Sequence, residues 1–287
     1  IMSFIYSLQD VKISLERINE IHGRRNEEDD GELLTRYADD KNRSITLNDI
    51  DFRYDLHALN NTLDNITFTV PQGQVTAIVG ASGSGKTTLI KLMLGYYPVN
   101  CGSIDIAGAD INRYSMTWWR RRCGVVMQDG VIFSESIARN IAVSDGDIDE
   151  ARLEEAARTA CIHDYIMSLP LRYNTKIGRD GVGLSQGQKQ RILIARAVYR
   201  NPDYIFLDEA TNSLDARNER EIVSNLSRFY RGRTVVVVAH RLSTVRDADN
   251  IIVLDAGRIV ESGNHDSLIA ARGHYYNLVK NQLELGN

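Results

Sequence analysis

Gly80-Ala81-Ser82-Gly83-Ser84-Gly85-Lys86-Thr87 has the form G-x-x-x-x-G-K-[ST]. Each residue type in it suits a polyphosphate. Glycines let backbone N–H groups curl around phosphate oxygens, and the helix expected from Thr88 onward adds a partial positive charge at its N-terminus. Lys86 would reach β- and γ-phosphates, and the Thr87 hydroxyl would ligate Mg²⁺. Further along stand two adjacent carboxylates, Asp208 and Glu209. Beside a phosphate they need different roles. With Asp208 holding Mg²⁺ directly or through water, Glu209 can polarise an attacking water as general base. Gln128 carries both donor and acceptor atoms, so it can bridge metal, water and a moving segment. His240 can hydrogen-bond a γ-phosphate. Each group alone has a plainer reading: a Gly/Ser turn, an acidic loop, a structural histidine. Together they point to phosphoryl chemistry, with Thr87, Gln128 and Asp208 around a metal and Lys86, Gln128, Glu209 and His240 around the reacting phosphate.

These groups share one kind of position. The P-loop follows Val75-Thr76-Ala77-Ile78-Val79, Gln128 follows Cys123–Met127, Asp208 follows Tyr204-Ile205-Phe206-Leu207, and His240 follows Val235–Ala239. Continuous apolar or β-branched runs bounded by helical patterns read as parallel strands covered on both faces. In open α/β sheets the carboxyl ends of such strands face one crevice. Alternating segments at Ile45–Leu47, Ile50–Tyr54 and Ile66–Val70 read as antiparallel strands, and Gly102–Gly108 as a short strand and turn. Ser134–Pro170 turns helical. A further helix starts near Gln186 and runs to Arg200, a hairpin turns about Asp255-Ala256-Gly257, and His265–Leu283 reads as helix. Residues 1–22 read as a helix with Phe4, Leu8, Val11, Leu15 and Ile18 on one stripe. The polar, aperiodic stretch His22–Asp40 reads as a linker.

Composition narrows the class. With 287 residues, 43% hydrophobic and 25% charged, the chain can form one large domain or two small ones. A net charge of −4 leaves no broad basic footprint for nucleic acid, and Arg120-Arg121-Arg122 reads as a solvated helix end. Cys101, Cys123 and Cys161 are scattered and odd in number, which suggests a reducing compartment without disulfide or zinc. No run of 18 apolar residues marks a membrane span.

Leu184-Ser185-Gln186-Gly187-Gln188 lies twenty residues before Asp208. Here the chain resembles the ATP-binding cassette (ABC) family, whose signature is Leu-Ser-Gly-Gly-Gln. The resemblance covers residues 44–287. It implies an α/β P-loop NTPase fold of the ABC ATPase type: a RecA-like core, an antiparallel β subdomain, and a helical subdomain at about 129–190. It assigns Tyr54 to the aromatic that stacks on adenine, Gln128 to the Q-loop and Asn212-Ser213-Leu214-Asp215 to the D-loop. Glu209 matches the catalytic glutamate and His240 the switch histidine. Ser185, Gly187 and Gln188 belong to the signature, which in the family completes the ATP site of a partner copy. Gln186 replaces a signature glycine. Arg179 follows Thr175-Lys176-Ile177-Gly178 where exporters usually carry Glu, a charge reversal in the loop expected to touch the transmembrane partner.

Leu8-Gln9-Asp10 with Ser14–Ile18, and Ala239–Val245, resemble exporters, including peptidase-containing bacteriocin transporters. The resemblance thus implies an ATP-hydrolysing motor of a peptide or protein exporter. ATP and Mg²⁺ would be its cofactors and a head-to-tail second copy and a transmembrane domain its partners, with no nucleic acid. The site would lie at the cytoplasmic face of a membrane. In that reading residues 1–22 end a transmembrane-domain helix and 23–43 form a linker. Two rival classes are a soluble ABC ATPase of repair or translation and a regulatory nucleotide-binding module. The first lacks its usual coiled-coil insertion or second cassette here. Against the second stand Glu209 and His240.

Overall fold

The computed structural model describes residues 2–23, 27, 32–144, 146–179, 181–210, 216–239 and 245–285. Its strands are β1 (Ile45–Phe52), β2 (Leu63–Val70), β3 (Val75–Gly80), β4 (Cys101–Ile106), β5 (Ala109–Asp110), β6 (Cys123–Val126), β7 (Tyr204–Asp208), β8 (Thr234–Val238), β9 (Asn250–Asp255) and β10 (Arg258–Gly263). They form two sheets among the described residues. One has the order β2-β1-β4-β5 and is antiparallel throughout. The other has the order β10-β9-β3-β8-β7-β6, parallel except for β10 at its edge.

The parallel strands are buried on both faces, and successive residues go to opposite sides. Ala77, Val79, Leu207, Val235 and Val237 join one apolar cluster with the helical layer. Ile78, Phe206, Val236 and Val238 join the other, with the antiparallel sheet. The helical layer holds α4 (Ile137–Ala142), α5 (Glu150–Thr159), α6 (His163–Ser168), α7 (Gln186–Tyr199) and α8 (Ala216–Phe229). The opposite layer holds α2 (Lys86–Met93) and α3 (Met116–Arg121). The apolar runs thus become strands, as their lack of alternation predicts.

Three details depart from the sequence expectation. The expected strands Ile45–Leu47 and Ile50–Tyr54 merge into one, β1, which stops at Phe52 and is interrupted at Asp49, whose φ of 49° shifts the register against both neighbours. Tyr54 lies just beyond its end. The C-terminal helix is two, His265–Ala271 and His274–Leu285, broken where Arg272 takes φ 54°. The Glu261 carboxylate restarts it by accepting the N–H groups of His274 (2.7 Å) and Tyr275 (2.9 Å).

Helix α1 (Met2–His22) turns the described part of its expected apolar stripe outward, and the side chains of Phe4 and Leu8 lie outside the described residues. Val11, Leu15 and Ile18 are each at least half exposed. From Leu34 the chain is docked rather than free. Leu34 exchanges backbone hydrogen bonds with the 113–115 segment. Tyr37 is buried, and its hydroxyl donates to Asp203 Oδ2 at 2.7 Å. Asp203 immediately precedes β7. Arg43 lies over the Tyr37 ring, and Arg122 reaches Asp203 at 3.6 Å. The arginine triplet is structural at two of its members. Arg120 donates to the carbonyls of Leu94 (3.1 Å) and Gly95 (2.7 Å), closing the C-terminus of α2, and it pairs with Glu27.

Candidate functional site

Strand register assembles the site. Ile78, Val238 and Asp208 lie in one row across β3, β8 and β7, and Leu207 pairs with Val126 of β6. The carboxyl ends of four neighbouring parallel strands therefore open on one side, bringing together the P-loop, Asp208-Glu209 and the chain leading to Gln128. Gln128 itself is exposed, two residues past β6. His240 and Asp215 lie outside the described residues.

The P-loop residues Gly80, Ala81, Ser82, Gly83, Ser84 and Gly85 lead into α2, which starts at Lys86. Its glycines are required for two different reasons. A Cβ at Gly80 would sit 2.1 Å from the Leu254 carbonyl oxygen, so close packing of β3 on β9 excludes any side chain there. Gly85 takes φ 101°, and its Cβ would collide with Leu63 at 2.5 Å. The Ser84 hydroxyl is buried without a hydrogen-bond partner. Lys86 is buried, with Nζ donating to the carbonyls of Gly80 (2.9 Å) and Ala81 (2.8 Å). Burial lowers its pKa, and the nearby Glu209 and Asp208 oppose that shift.

Asp208 is 1% exposed, and neither carboxylate oxygen has a hydrogen bond of ordinary geometry. Burial raises its pKa. The neighbouring Thr87 hydroxyl lowers it, Glu209 raises it further, and Lys86 and Lys91 pull it down. A buried carboxylate with spare acceptor capacity beside a hydroxyl is a hard-oxygen donor set, which suits Mg²⁺. Asp208 and Thr87 are therefore the residues that fit the metal. Lys91, one turn further along α2, is a charge that motif reading passes over. Glu209 takes φ 51°, a left-handed conformation costly for a residue with a Cβ, and its N–H donates to Val238 at 3.0 Å. The bend turns the chain sharply straight after the Asp208 carboxylate.

The signature begins α7 in the helical layer. Ser185 and Gln188 form a reciprocal capping box: the Ser185 hydroxyl accepts from Gln188 N (3.2 Å), and Gln188 Oε1 accepts from Ser185 N (2.8 Å). Gly187 is half-buried, while Ser185 and Gln186 are exposed. Gln186 therefore crowds nothing within its own chain. Arg179 is also exposed, and its N–H donates to Ser134 Oγ at 3.2 Å.

Tyr54 projects from the β1–β2 loop and is half exposed, its hydroxyl 3.1 Å from Thr88 Oγ1 on α2. Sequence reasoning passes over Tyr97, whose ring lies 5.2 Å from that of Tyr54. The one available signal is the pair Tyr96-Tyr97 just after the P-loop helix.

Comparisons with known proteins bear on the family and the fold. The family model described as "ABC transporter" matches residues 63–212. An ATP-dependent lipid A-core flippase of Saccharophagus degradans is 46% identical over 240 residues, 83% of this chain and 40% of that protein. The exotoxin translocation ATP-binding protein PaxB of Pasteurella aerogenes is 43% identical over 277 residues, 96% of this chain and 38% of that protein. A solved bacterial Atm1-family ABC exporter with ATP bound superimposes with a TM-score of 0.81 at 39% identity, over 84% of this chain and 42% of that one. The chain thus spans about two fifths of the length of these relatives. P-loop, signature, sheet order and family match lead to one assignment: the chain belongs to the ABC transporter family and has the ABC ATPase fold.

Proposed function

We propose that the chain is the ATP-hydrolysing motor of an exporter, acting as a head-to-tail pair at the cytoplasmic face of a membrane. The observation that carries this reading is the row of strand ends placing a buried, unsatisfied Asp208 carboxylate beside Lys86 and ahead of Glu209. The P-loop N–H groups and the α2 N-terminus bind the phosphates, and Lys86 sits on the β/γ oxygens. Thr87 and Asp208, with Gln128, would hold Mg²⁺, which when bound would neutralise phosphate charge. Glu209 accepts the proton of the water whose oxygen bonds to the γ-phosphorus. The bond from that phosphorus to the bridging oxygen breaks, and ADP carries off the electron pair. His240 and Asp215 join this site, and Ser185, Gly187 and Gln188 face the nucleotide of the second copy. The exposed capping box supports that placement. Its own hydrogen bonds are complete, and it presents a helix N-terminus to solvent.

Residues 1–22 then end a helix of the upstream membrane domain, 23–43 connect it, and 44–287 are the ATPase. The outward apolar stripe of α1 supports this. For cargo we favour a peptide or protein. The exotoxin and leukotoxin translocation relatives match 96% of the chain, against 83% for the flippase. Glu209→Gln tests the motor. It keeps size and hydrogen bonding but removes the base, which contributes about 10²–10⁴ in rate. The variant should bind ATP, turn it over slowly and elute as a dimer with ATP-Mg²⁺ on size-exclusion chromatography. Wild-type turnover in that variant, or a monomer at saturating ATP, would count against it.

A further inference from the structure

Tyr54 is held in a frame that goes beyond the role proposed for it. A half-exposed tyrosine on a ten-residue loop would ordinarily sample several rotamers. Here Phe52 stands at 82° to its ring with centroids 4.9 Å apart, and Tyr97 stands at 89° with centroids 5.2 Å apart. Phe52 and Tyr97 also pack on each other at 5.9 Å. Three mutually tilted rings are the arrangement that aromatic quadrupoles favour. The Tyr54 hydroxyl is tied to Thr88, two residues beyond Lys86 on the same helix. The ring is thus fixed at its sides by aromatics and at its tip by the phosphate-binding helix.

Tyr97 is placed by that helix too. α2 ends at Met93, and Gly95 turns the chain with φ 65°. Arg120 grips the carbonyls of Leu94 and Gly95 and lies over the Tyr96 ring. Tyr97 follows directly, so its position is set at the C-terminal end of α2. Phe52 is core and Tyr97 is 42% exposed. Of the two rings that flank Tyr54, Tyr97 is therefore the one that contributes less to the core.

We propose that Tyr97 is a positioning residue for base binding: it fixes the Tyr54 ring in the stacking orientation, so that the purine and the phosphates are received at a set spacing. The proposal rests on the reading of Tyr54 as the adenine platform. Its physical content is preorganisation, because a side chain immobilised before the ligand arrives costs no rotamer entropy on binding. The effect belongs to affinity for ligands that carry a base. It leaves the phosphate site and the chemical step alone.

The test compares Tyr97→Leu, Tyr97→Phe and Tyr54→Ala in the purified chain. ATP and inorganic tripolyphosphate are titrated by calorimetry, and kcat is measured at saturating ATP. Tyr97→Leu should weaken ATP about threefold to tenfold while leaving tripolyphosphate affinity and kcat unchanged. Tyr97→Phe, which keeps the ring, should bind like wild type. An ATP affinity unchanged in Tyr97→Leu but reduced in Tyr54→Ala overturns the proposal and spares the adenine reading. Equal weakening of ATP and tripolyphosphate overturns it too, since that is a general loosening of the site. An unchanged ATP affinity in Tyr54→Ala removes the platform itself and the proposal with it.

Discussion

At the scale of single residues, the site keeps charge where solvent is absent. Asp208 is the clearest case, buried with neither oxygen conventionally bonded. Burial is the largest influence on its carboxyl and moves the pKa up. A raised carboxyl pKa means the folded state binds a proton that the unfolded chain has already released. The cost of charging Asp208 is then present in full above its folded pKa and vanishes below the ordinary carboxylate range. Asp208→Asn should therefore stabilise the nucleotide-free protein by about 1–2 kcal/mol at neutral pH while abolishing turnover. That gain should shrink as pH falls towards the ordinary carboxylate range. Thermal melts of both proteins from pH 8 to pH 5 check this, and an offset that ignores pH would refute the cause given. Glu209 shows the same preference for function at the backbone. Its left-handed φ is a conformational cost at the position proposed for the general base.

At the scale of elements, α7 carries two tasks on one serine. Ser185 caps the helix, and in the proposed pair it also faces a phosphate. The tasks separate by substitution. Ser185→Ala should lose about 1 kcal/mol of stability. Ser185→Asp should keep the cap and suit the helix dipole, leaving the melting temperature near wild type. In a Glu209→Gln background, however, the added carboxylate should abolish ATP-induced dimerisation on size-exclusion chromatography. A stable Ser185→Asp protein that still dimerises would place the signature away from the nucleotide. Elements also show what was legible in sequence. Parallel strands were readable because burial on both faces removes polar residues from the run, as in Val235–Val238. The P-loop, Asp208 and the capping serine were readable because each sits at the boundary of such a run. The docked stretch from Leu34 was not. Tyr37 is one aromatic in an aperiodic polar segment, and its partner Asp203 lies 166 positions away. Tyr97 was missed for a similar reason, because a ring that acts by touching another ring has no motif. The split of the C-terminal helix depends on Glu261, whose capping role appears only once β10 brings it beside His274.

At the scale of the whole molecule, the Tyr37 contact makes the segment before β1 part of the folded unit. Deletion through residue 31 removes the Glu27 partner of Arg120, a half-exposed pair worth less than about 1 kcal/mol, and should leave the melting temperature nearly unchanged. Deletion through residue 43 removes Tyr37, and Arg43 with its 3.9 Å ion pair, from Asp203 and uncovers Tyr204 and Trp118. The loss of one buried aromatic, about 2–3 kcal/mol, corresponds to a drop of about 5–10 °C. Calorimetry of the two truncations decides whether this stretch is structure or spacer. The sheet order has a consequence of a different kind, in the time course of synthesis. β1, β2, β4 and β5 all lie within residues 45–110 and can pair early. β3, which carries the P-loop, pairs only with β8 and β9, the strands at 234–238 and 250–255. At ribosomal speed the gap is roughly 10–30 s. Throughout that interval the apolar Ala77-Ile78-Val79 run has no strand neighbour. Nucleotide therefore cannot assist the folding of its own binding loop until synthesis has passed β9.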